Sequence, residues 1–221
     1  MIKHLIFDFD GVIVDSEILA AEAFIRFLSK NNIVYSVEDF VEKFAGNKMV
    51  DVTNELSKFH DIGDKKKFLN NVMKIVSNIY NDELTAVKNI KEFLKRNSLD
   101  IYISSNSGKP RIIKGLKKVG LESYFKEENI YTFEMVLNPK PAPDIYNKVV
   151  DDNNLNKNEL LVFEDSVVGV SSAYEAGLKV LGITAASHWK NRSSKSLKDA
   201  GVLEIVDSYD KVDQIINKMN T

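Results

Sequence analysis

The chain has 221 residues, 44% hydrophobic and 28% charged, the makeup of a soluble globular protein with material for one large domain or a domain carrying a smaller insert. Thirty Lys and Arg face 32 Asp and Glu, so there is no basic field to gather nucleic acid or anionic lipid, and neither partner is expected. No cysteine is present, which excludes disulfides, thiol nucleophiles and thiolate metal sites, and with neither a leader pattern nor a bilayer-length apolar run the expectation is a cytoplasmic monomer.

Leu5 to Phe7 reads as a buried strand running straight into Asp8, Phe9, Asp10 and Gly11. Side chains alternate along a strand, so Asp8 and Asp10 face the same way if the extended geometry persists to Asp10, after which Gly11 permits a turn. Carboxylates this close repel unless a cation lies between them or one keeps its proton, which suggests a divalent metal; the plain alternative is a pair of strand-end turn formers. Glu17 to Leu28 then carries an apolar stripe at helical spacing. Ser36 is placed as the N-cap of a helix over Val37 to Phe44, with Glu38 and Asp39 at its positive end, and Gly46 breaks that segment. Helical patterns follow over Met49 to Phe59 and Asp64 to Tyr80, and no strand-like run interrupts residues 17 to 82.

From Thr85 the rhythm changes to alternating helices and short apolar runs. A helix over Val87 to Arg96 precedes a strand over Asp100 to Ser104, and a helix over Pro110 to Val119 precedes a strand over Asn129 to Phe133. Pro143 and Asp144 open a helix through Val150, followed by a strand over Leu160 to Phe163 and a helix over Val168 to Ala176. Strands over Lys179 to Ile183 and Leu203 to Val206 lead into a last helix, Lys211 to Met219. Such alternation predicts an α/β fold, a Rossmann-like parallel sheet with helices on both faces.

Ligands of open parallel sheets bind beyond the carboxyl ends of the strands. There the chain offers Asp8 and Asp10, then Ser104, Ser105, Asn106 and Ser107, then Glu164 and Asp165, with Lys140 fixed between prolines in Asn138-Pro-Lys-Pro-Ala-Pro-Asp144. Acids, hydroxyls and one cation at a single sheet edge fit a metal and phosphate site. A phosphate monoester needs a positioned nucleophile, shielding of charge and a proton for the leaving oxygen. Asp8 can attack phosphorus, Asp10 can donate and accept the proton, Mg2+ and Lys140 can offset repulsion, and Ser105 with nearby backbone N–H groups can grip phosphoryl oxygens. Each residue also has a plain structural reading: Ser104 as strand packing, Ser107 as a helix cap, Glu164 as a strand-end acid, Asp144 as a helix-start residue bracing the Lys140 loop. Asn106 is given a backbone N–H for phosphate and a side chain left for substrate.

Four ordered segments, Asp8-Phe-Asp10-Gly-Val-Ile-Val-Asp15-Ser-Glu17, Ile103-Ser-Ser105-Asn-Ser, Lys140-Pro-Ala-Pro-Asp144 and Phe163-Glu164-Asp165-Ser-Val-Val-Gly169, resemble the haloacid dehalogenase-like superfamily, in its sugar-phosphate phosphatase and β-phosphoglucomutase branch. The resemblance implies Asp8 as nucleophile, Asp10 as acid and base, and Ser105 and Lys140 as phosphate binders. It implies Asp8, the Asp10 carbonyl and Asp165 on Mg2+, with Glu164 supporting the metal. It further implies that residues 16–83 are an inserted all-helical cap domain over a Rossmann-like core of 1–15 and 84–221. In that cap, Lys48 and Glu17 are candidate substrate contacts, each with a solvated surface reading beside it. No histidine is assigned to catalysis, and His188 with Trp189 is read either as a loop at the mouth of the site or as simple packing.

The function expected is a Mg2+-dependent phosphatase of a small phosphorylated metabolite, with an aspartyl-phosphate intermediate. A phosphosugar mutase is the near alternative, weakened by Ala20 where the mutase branch carries a histidine and by Lys48 near where it carries an arginine. A receiver-like phospho-acceptor module is the alternative of another class; it needs neither a helical insert nor Asp10.

Overall fold

Six short apolar runs pair side by side in the computed structural model of the protein, which describes residues 1–45 and 47–221; Gly46, the expected helix breaker, lies outside them. The strands are β1 (His4–Phe7), β2 (Asp100–Ser105), β3 (Ile130–Thr132), β4 (Leu160–Glu164), β5 (Lys179–Ile183) and β6 (Glu204–Val206). They pair in parallel throughout, in the order β3-β2-β1-β4-β5-β6. Among the described residues ten helices join them. Between β1 and β2 run α1 (Glu17–Ser29), α2 (Val37–Phe44), α3 (Met49–Phe59), α4 (Lys65–Glu83) and α5 (Ile90–Arg96). Then α6 (Lys109–Lys118), α7 (Asp144–Asp152), α8 (Val167–Glu175) and α9 (Lys195–Asp199) follow β2 to β5 in turn, and α10 (Val212–Asn220) closes the chain.

An all-parallel sheet must be covered on both faces, and the period of two in its strands sorts side chains between the covers. Ile6, Tyr102, Val162 and Val180 share one face with Tyr146 and Val149 of α7 and Val170 and Ala173 of α8. Phe7 and Phe163, opposite each other in register, turn to the other face. Their rings stack with centroids 4.5 Å apart and meet Phe93 of α5, Phe125 and Tyr209. The fold is therefore α/β and Rossmann-like, as the alternation of elements predicts.

The chain divides into two compact units, one of residues Met1–Asp15 and Thr85–Thr221, the other Ser16–Leu84. Both crossings between them lie together on the sheet unit: Asp15 N–H donates to Thr85 O (3.0 Å) and Val87 N–H to Ile13 O (2.9 Å). An insertion that leaves and returns at adjacent points costs the host sheet little. Within the helical unit, α1 packs on α2 and α4 through Phe24, Phe27, Phe40 and Phe68. Ser36 caps α2 by accepting Asp39 N–H at 3.0 Å, and Asp64 caps α4 by accepting Lys67 N–H at 2.7 Å.

The helix expected from Val87 begins only at Ile90. Val87 is committed to Ile13, and Asn89 adopts φ +66°, a left-handed conformation that asparagine tolerates and a helix does not contain. The strand expected over Asn129 to Phe133 shrinks to three residues between 3₁₀ turns, and α9 is a five-residue helix too short for its periodicity to stand out. No helix among the described residues is long and apolar enough to cross a membrane.

Phe7→Ala and Phe163→Ala are each expected to lower unfolding free energy by about 3–5 kcal/mol, because both rings are fully buried. In a urea double-mutant cycle the pair should couple by about 0.5–1.5 kcal/mol; strict additivity would show that the stack adds nothing beyond burial.

Candidate functional site

From β1 the chain steps outward to β2 and β3, then crosses back to β4 beside β1 and steps the other way, so the sheet's switch point lies between β1 and β4. Asp8 and the pair Glu164 and Asp165 stand at the carboxyl ends of these two strands. Asp8 N–H donates to Phe163 O at 2.9 Å, which continues the β1–β4 pairing by one residue and fixes Asp8 beside Glu164. The chain then turns through Gly11 at φ +79°.

Lys140 comes from the loop between β3 and α7. The Asn106 side chain clamps that loop from the end of β2: its Nδ2 donates to Lys140 O (3.0 Å) and its Oδ1 accepts Lys140 N–H (3.1 Å). Asp144 braces the same loop by accepting from the main chain (3.3 Å) and side chain (3.1 Å) of Asn138. The lysine is 3% exposed, and its three donors meet Asp8 Oδ1 at 2.9 Å, Ser104 O at 2.7 Å and Glu164 Oε1 at 2.6 Å. Burial pulls its pKa down, but Asp8 and Glu164 outweigh burial and hold it well above the ordinary lysine value, so it stays an ammonium.

Asp8, Glu164 and Asp165 offer oxygens that all lie within 4.8 Å of one another, and all three residues are buried. Burial pushes Asp8 and Asp165 well above the usual carboxylate range; Lys140 works against this in both, while the neighbouring acids add to it. Ionised together, the three carboxylates would set three negative charges against one ammonium, an excess that a divalent cation would offset, and an all-oxygen donor set suits a hard one. Two glycines let the acids come so near the backbone. A Cβ at Gly11 would lie 1.8 Å from Asp165 Oδ2, and one at Gly169 would lie 2.0 Å from the Glu164 carboxylate. Glu164 is further committed by Tyr146 Oη–H at 2.7 Å and Ser166 Oγ–H at 3.3 Å. Asp8 and Asp165 therefore suit direct contact with a cation, with Glu164 behind them.

Asp10 turns to a different partner set. Arg111 Nη2 lies 2.9 Å from its Oδ1, and Ser107 Oγ donates to Oδ2 at 2.5 Å. Ser105 Oγ accepts Ser107 N–H at 3.1 Å. Two sequence readings change here. Ser107 is not the helix cap, since Gly108 holds that position and the serine hydroxyl serves Asp10. The Asn106 amide is not left for substrate, because both its ends are bound to the Lys140 peptide. Ser104 is fully buried in β2, as packing requires.

Arg111 has no place among the residues expected from the sequence, although a residue in the first turn of a helix that starts beside a motif can reach back to it. His188, expected either at the mouth of the site or as packing, follows β5 and is buried, with its Nε2 3.1 Å from Asp165 Oδ2. Lys48 and Glu17 lie in the helical unit. Lys48 is exposed at the start of α3, and Glu17 lines a cavity with Asn47, Phe24, Phe40 and Phe44.

Residues 5–183 match the haloacid dehalogenase-like hydrolase family. The chain is 29% identical over 221 residues to a phosphorylated carbohydrates phosphatase of Thermotoga maritima, covering 97% of each protein. It is 24% identical over 190 residues to a 6-phosphogluconate phosphatase of Escherichia coli, covering 86% of each. A crystal structure of a haloacid dehalogenase-like protein of Agrobacterium tumefaciens superposes with a TM-score of 0.92 at 30% identity, over the whole of both chains. The chain belongs to the haloacid dehalogenase-like hydrolases, and both of these curated relatives are named as phosphatases.

A divalent cation at 100 times its Kd should stabilise the protein by about 2.7 kcal/mol, read as a rise in melting temperature over the chelator-treated protein. Asp8 and Asp165 bind protons more tightly folded than unfolded. Their contribution is therefore most favourable below the unfolded value of about 3.9 and is lost as pH rises toward their raised folded values. Metal-free Asp165→Asn should then melt above metal-free wild type, by a margin that widens with pH, and should gain little from the cation.

Proposed function

We propose that this haloacid dehalogenase-like hydrolase removes phosphate from a small phosphorylated carbohydrate, carrying the phosphoryl group on Asp8 between ester and water. The reading rests on the shared ammonium: Lys140 Nζ lies 2.9 Å from Asp8 and 2.6 Å from Glu164 at the switch point of the sheet. A carboxylate can attack an anionic ester only where the negative charge of both is offset. The names of the Thermotoga maritima and Escherichia coli relatives support the substrate class.

In the first step an oxygen of Asp8 bonds to phosphorus, the bond from phosphorus to the ester oxygen breaks, and Asp10 gives that oxygen a proton. In the second, water bonds to phosphorus, its proton passes to Asp10, and the bond between Asp8 and phosphorus breaks, restoring both carboxyl groups. Arg111 and Ser107 fix the direction of the Asp10 carboxylate, so that one residue serves both proton transfers from one place. Ser105 and the N–H groups that lead into α6 bind the equatorial phosphoryl oxygens. Asp8, Asp165 and the Asp10 carbonyl, with Glu164 in support, would hold Mg2+, which would supply charge neutralisation at the transferring group.

Residues 16–83 act as the cap in this reading, with Lys48 and Glu17 as its contacts to the leaving group. The cap excludes water and discriminates among esters.

Phosphate release across a panel of sugar, polyol and nucleotide phosphates tests the assignment. Asp8→Asn should fall to background and Asp10→Asn by about 10²–10⁴-fold, with an acid-trapped phosphoryl group on the Asp8 peptide in the wild type alone. Glucose phosphates that interconvert without releasing phosphate would favour a mutase, and a lasting phosphoprotein with no turnover would favour a receiver-like module. Lys48→Ala should raise KM for the best sugar phosphate by more than it does for p-nitrophenyl phosphate; equal changes on both would remove Lys48 from substrate recognition.

A further inference from the structure

The turn after β5 carries a buried imidazole into the acidic cluster. His188 and Asp165 are 3% and 5% exposed, and His188 Nε2 lies 3.1 Å from Asp165 Oδ2. The imidazole is not one of the three clustered carboxylates, and nothing in the two-step transfer uses it.

The ring's position is built by the sheet unit. Ser187 donates both its N–H (3.0 Å) and its hydroxyl to the Asp15 carboxylate, which ties the turn to the first motif. Trp189 backbone N–H donates to Ala186 O at 3.1 Å, and the Trp189 ring lies 5.6 Å from the imidazole, with the Arg192 guanidinium 4.8 Å from the centre of the Trp189 ring. Gly11 also comes close to the ring. A Cβ there would lie 1.8 Å from Asp165 Oδ2 and 3.1 Å from His188 Cε1. The imidazole, the Asp165 carboxylate and the Gly11 backbone are thus in contact with no room for another side chain.

We infer that His188 is a positioning residue: its Nε2–H takes one oxygen of Asp165 and so holds that carboxylate in a single orientation for a divalent cation shared with Asp8. The inference rests on the metal site proposed above. A buried carboxylate amid other acids has every electrostatic reason to rotate away from them, and a donor on one oxygen opposes that rotation. Partners of this kind behind a metal-binding carboxylate set affinity, and their loss commonly costs 10–100-fold. His188 acts through Asp165 and need not touch the cation.

Titration calorimetry of Mg2+ alone, and of Mn2+ alone, into the metal-stripped full chain provides the test. His188→Leu keeps bulk and loses the donor, and it should weaken binding of both ions by about 10–100-fold. His188→Gln, which offers an amide N–H, should recover part of the loss. The melting temperature of each variant without metal separates lost packing from lost orientation: if packing were the whole role, Gln would not outperform Leu at equal stability. If His188→Leu does not fold, His188→Ala takes its place in the comparison. A wild type that binds while His188→Leu and His188→Gln bind equally well overturns the inference alone. A wild type that binds neither ion overturns the metal reading, and the inference with it.

Discussion

One ammonium group set among three buried carboxylates governs this protein. Lys140 touches Asp8 and Glu164 directly and the carbonyl of Ser104, and it spends all three donors in doing so. It makes burial of the acids tolerable without cancelling their charge. A buried lysine that lost its partners, or acids that lost their lysine, would carry the desolvation penalty unaided. The cluster is a compromise in which stability is given up at the one place where charge is needed.

The surrounding structure serves that compromise. β1 and β4 bring Asp8 and Glu164 together because their strands pair in register, Phe7 opposite Phe163, so the next residues of each chain emerge side by side. The Lys140 loop belongs to neither strand and has no regular structure of its own. Its position is imposed by the Asn106 amide, which replaces the ladder bonds a strand would have supplied, and by Asp144 at the start of α7. Gly11 and Gly169 complete the cluster by leaving out side chains where carboxylates must lie against the backbone.

The two aspartates of the first motif have separate environments, and the separation has chemical meaning. Asp8 is deeply buried against Lys140, as the proposed nucleophile would require. Asp10 is more open, held by Ser107 just before α6 and Arg111 in its first turn, as the proposed exchange of protons with an alcohol and with water would require. Ser105, the last residue of β2, accepts the Ser107 N–H and keeps the turn after the strand tight. A single short segment, residues 105–111, thus supplies the partner of Asp10, the clamp on Lys140 and the helix start where a phosphate would be bound.

Hydropathy rhythm determined the fold class, because parallel strands buried on both faces must be apolar runs and the helices between them must be amphipathic. Composition excluded cysteine chemistry, and Asp8, Ser105 and Asp165 at strand ends, with Lys140 in the loop after β3, could be read in order because a parallel sheet always gathers its carboxyl ends along one edge. Tertiary structure alone decided which partner each side chain took. Asn106 and Ser107 each had a plausible local use, as substrate contact and helix cap, and each was claimed by a residue far away in the chain, Lys140 and Asp10. Nothing in the local sequence marked Arg111, and His188 could be either site mouth or packing, until folding set them against Asp10 and Asp165. Local sequence records propensities that act over a few residues. Contacts among buried charges are settled by which of many distant groups reaches a dry site first and best, and that competition is resolved only in three dimensions.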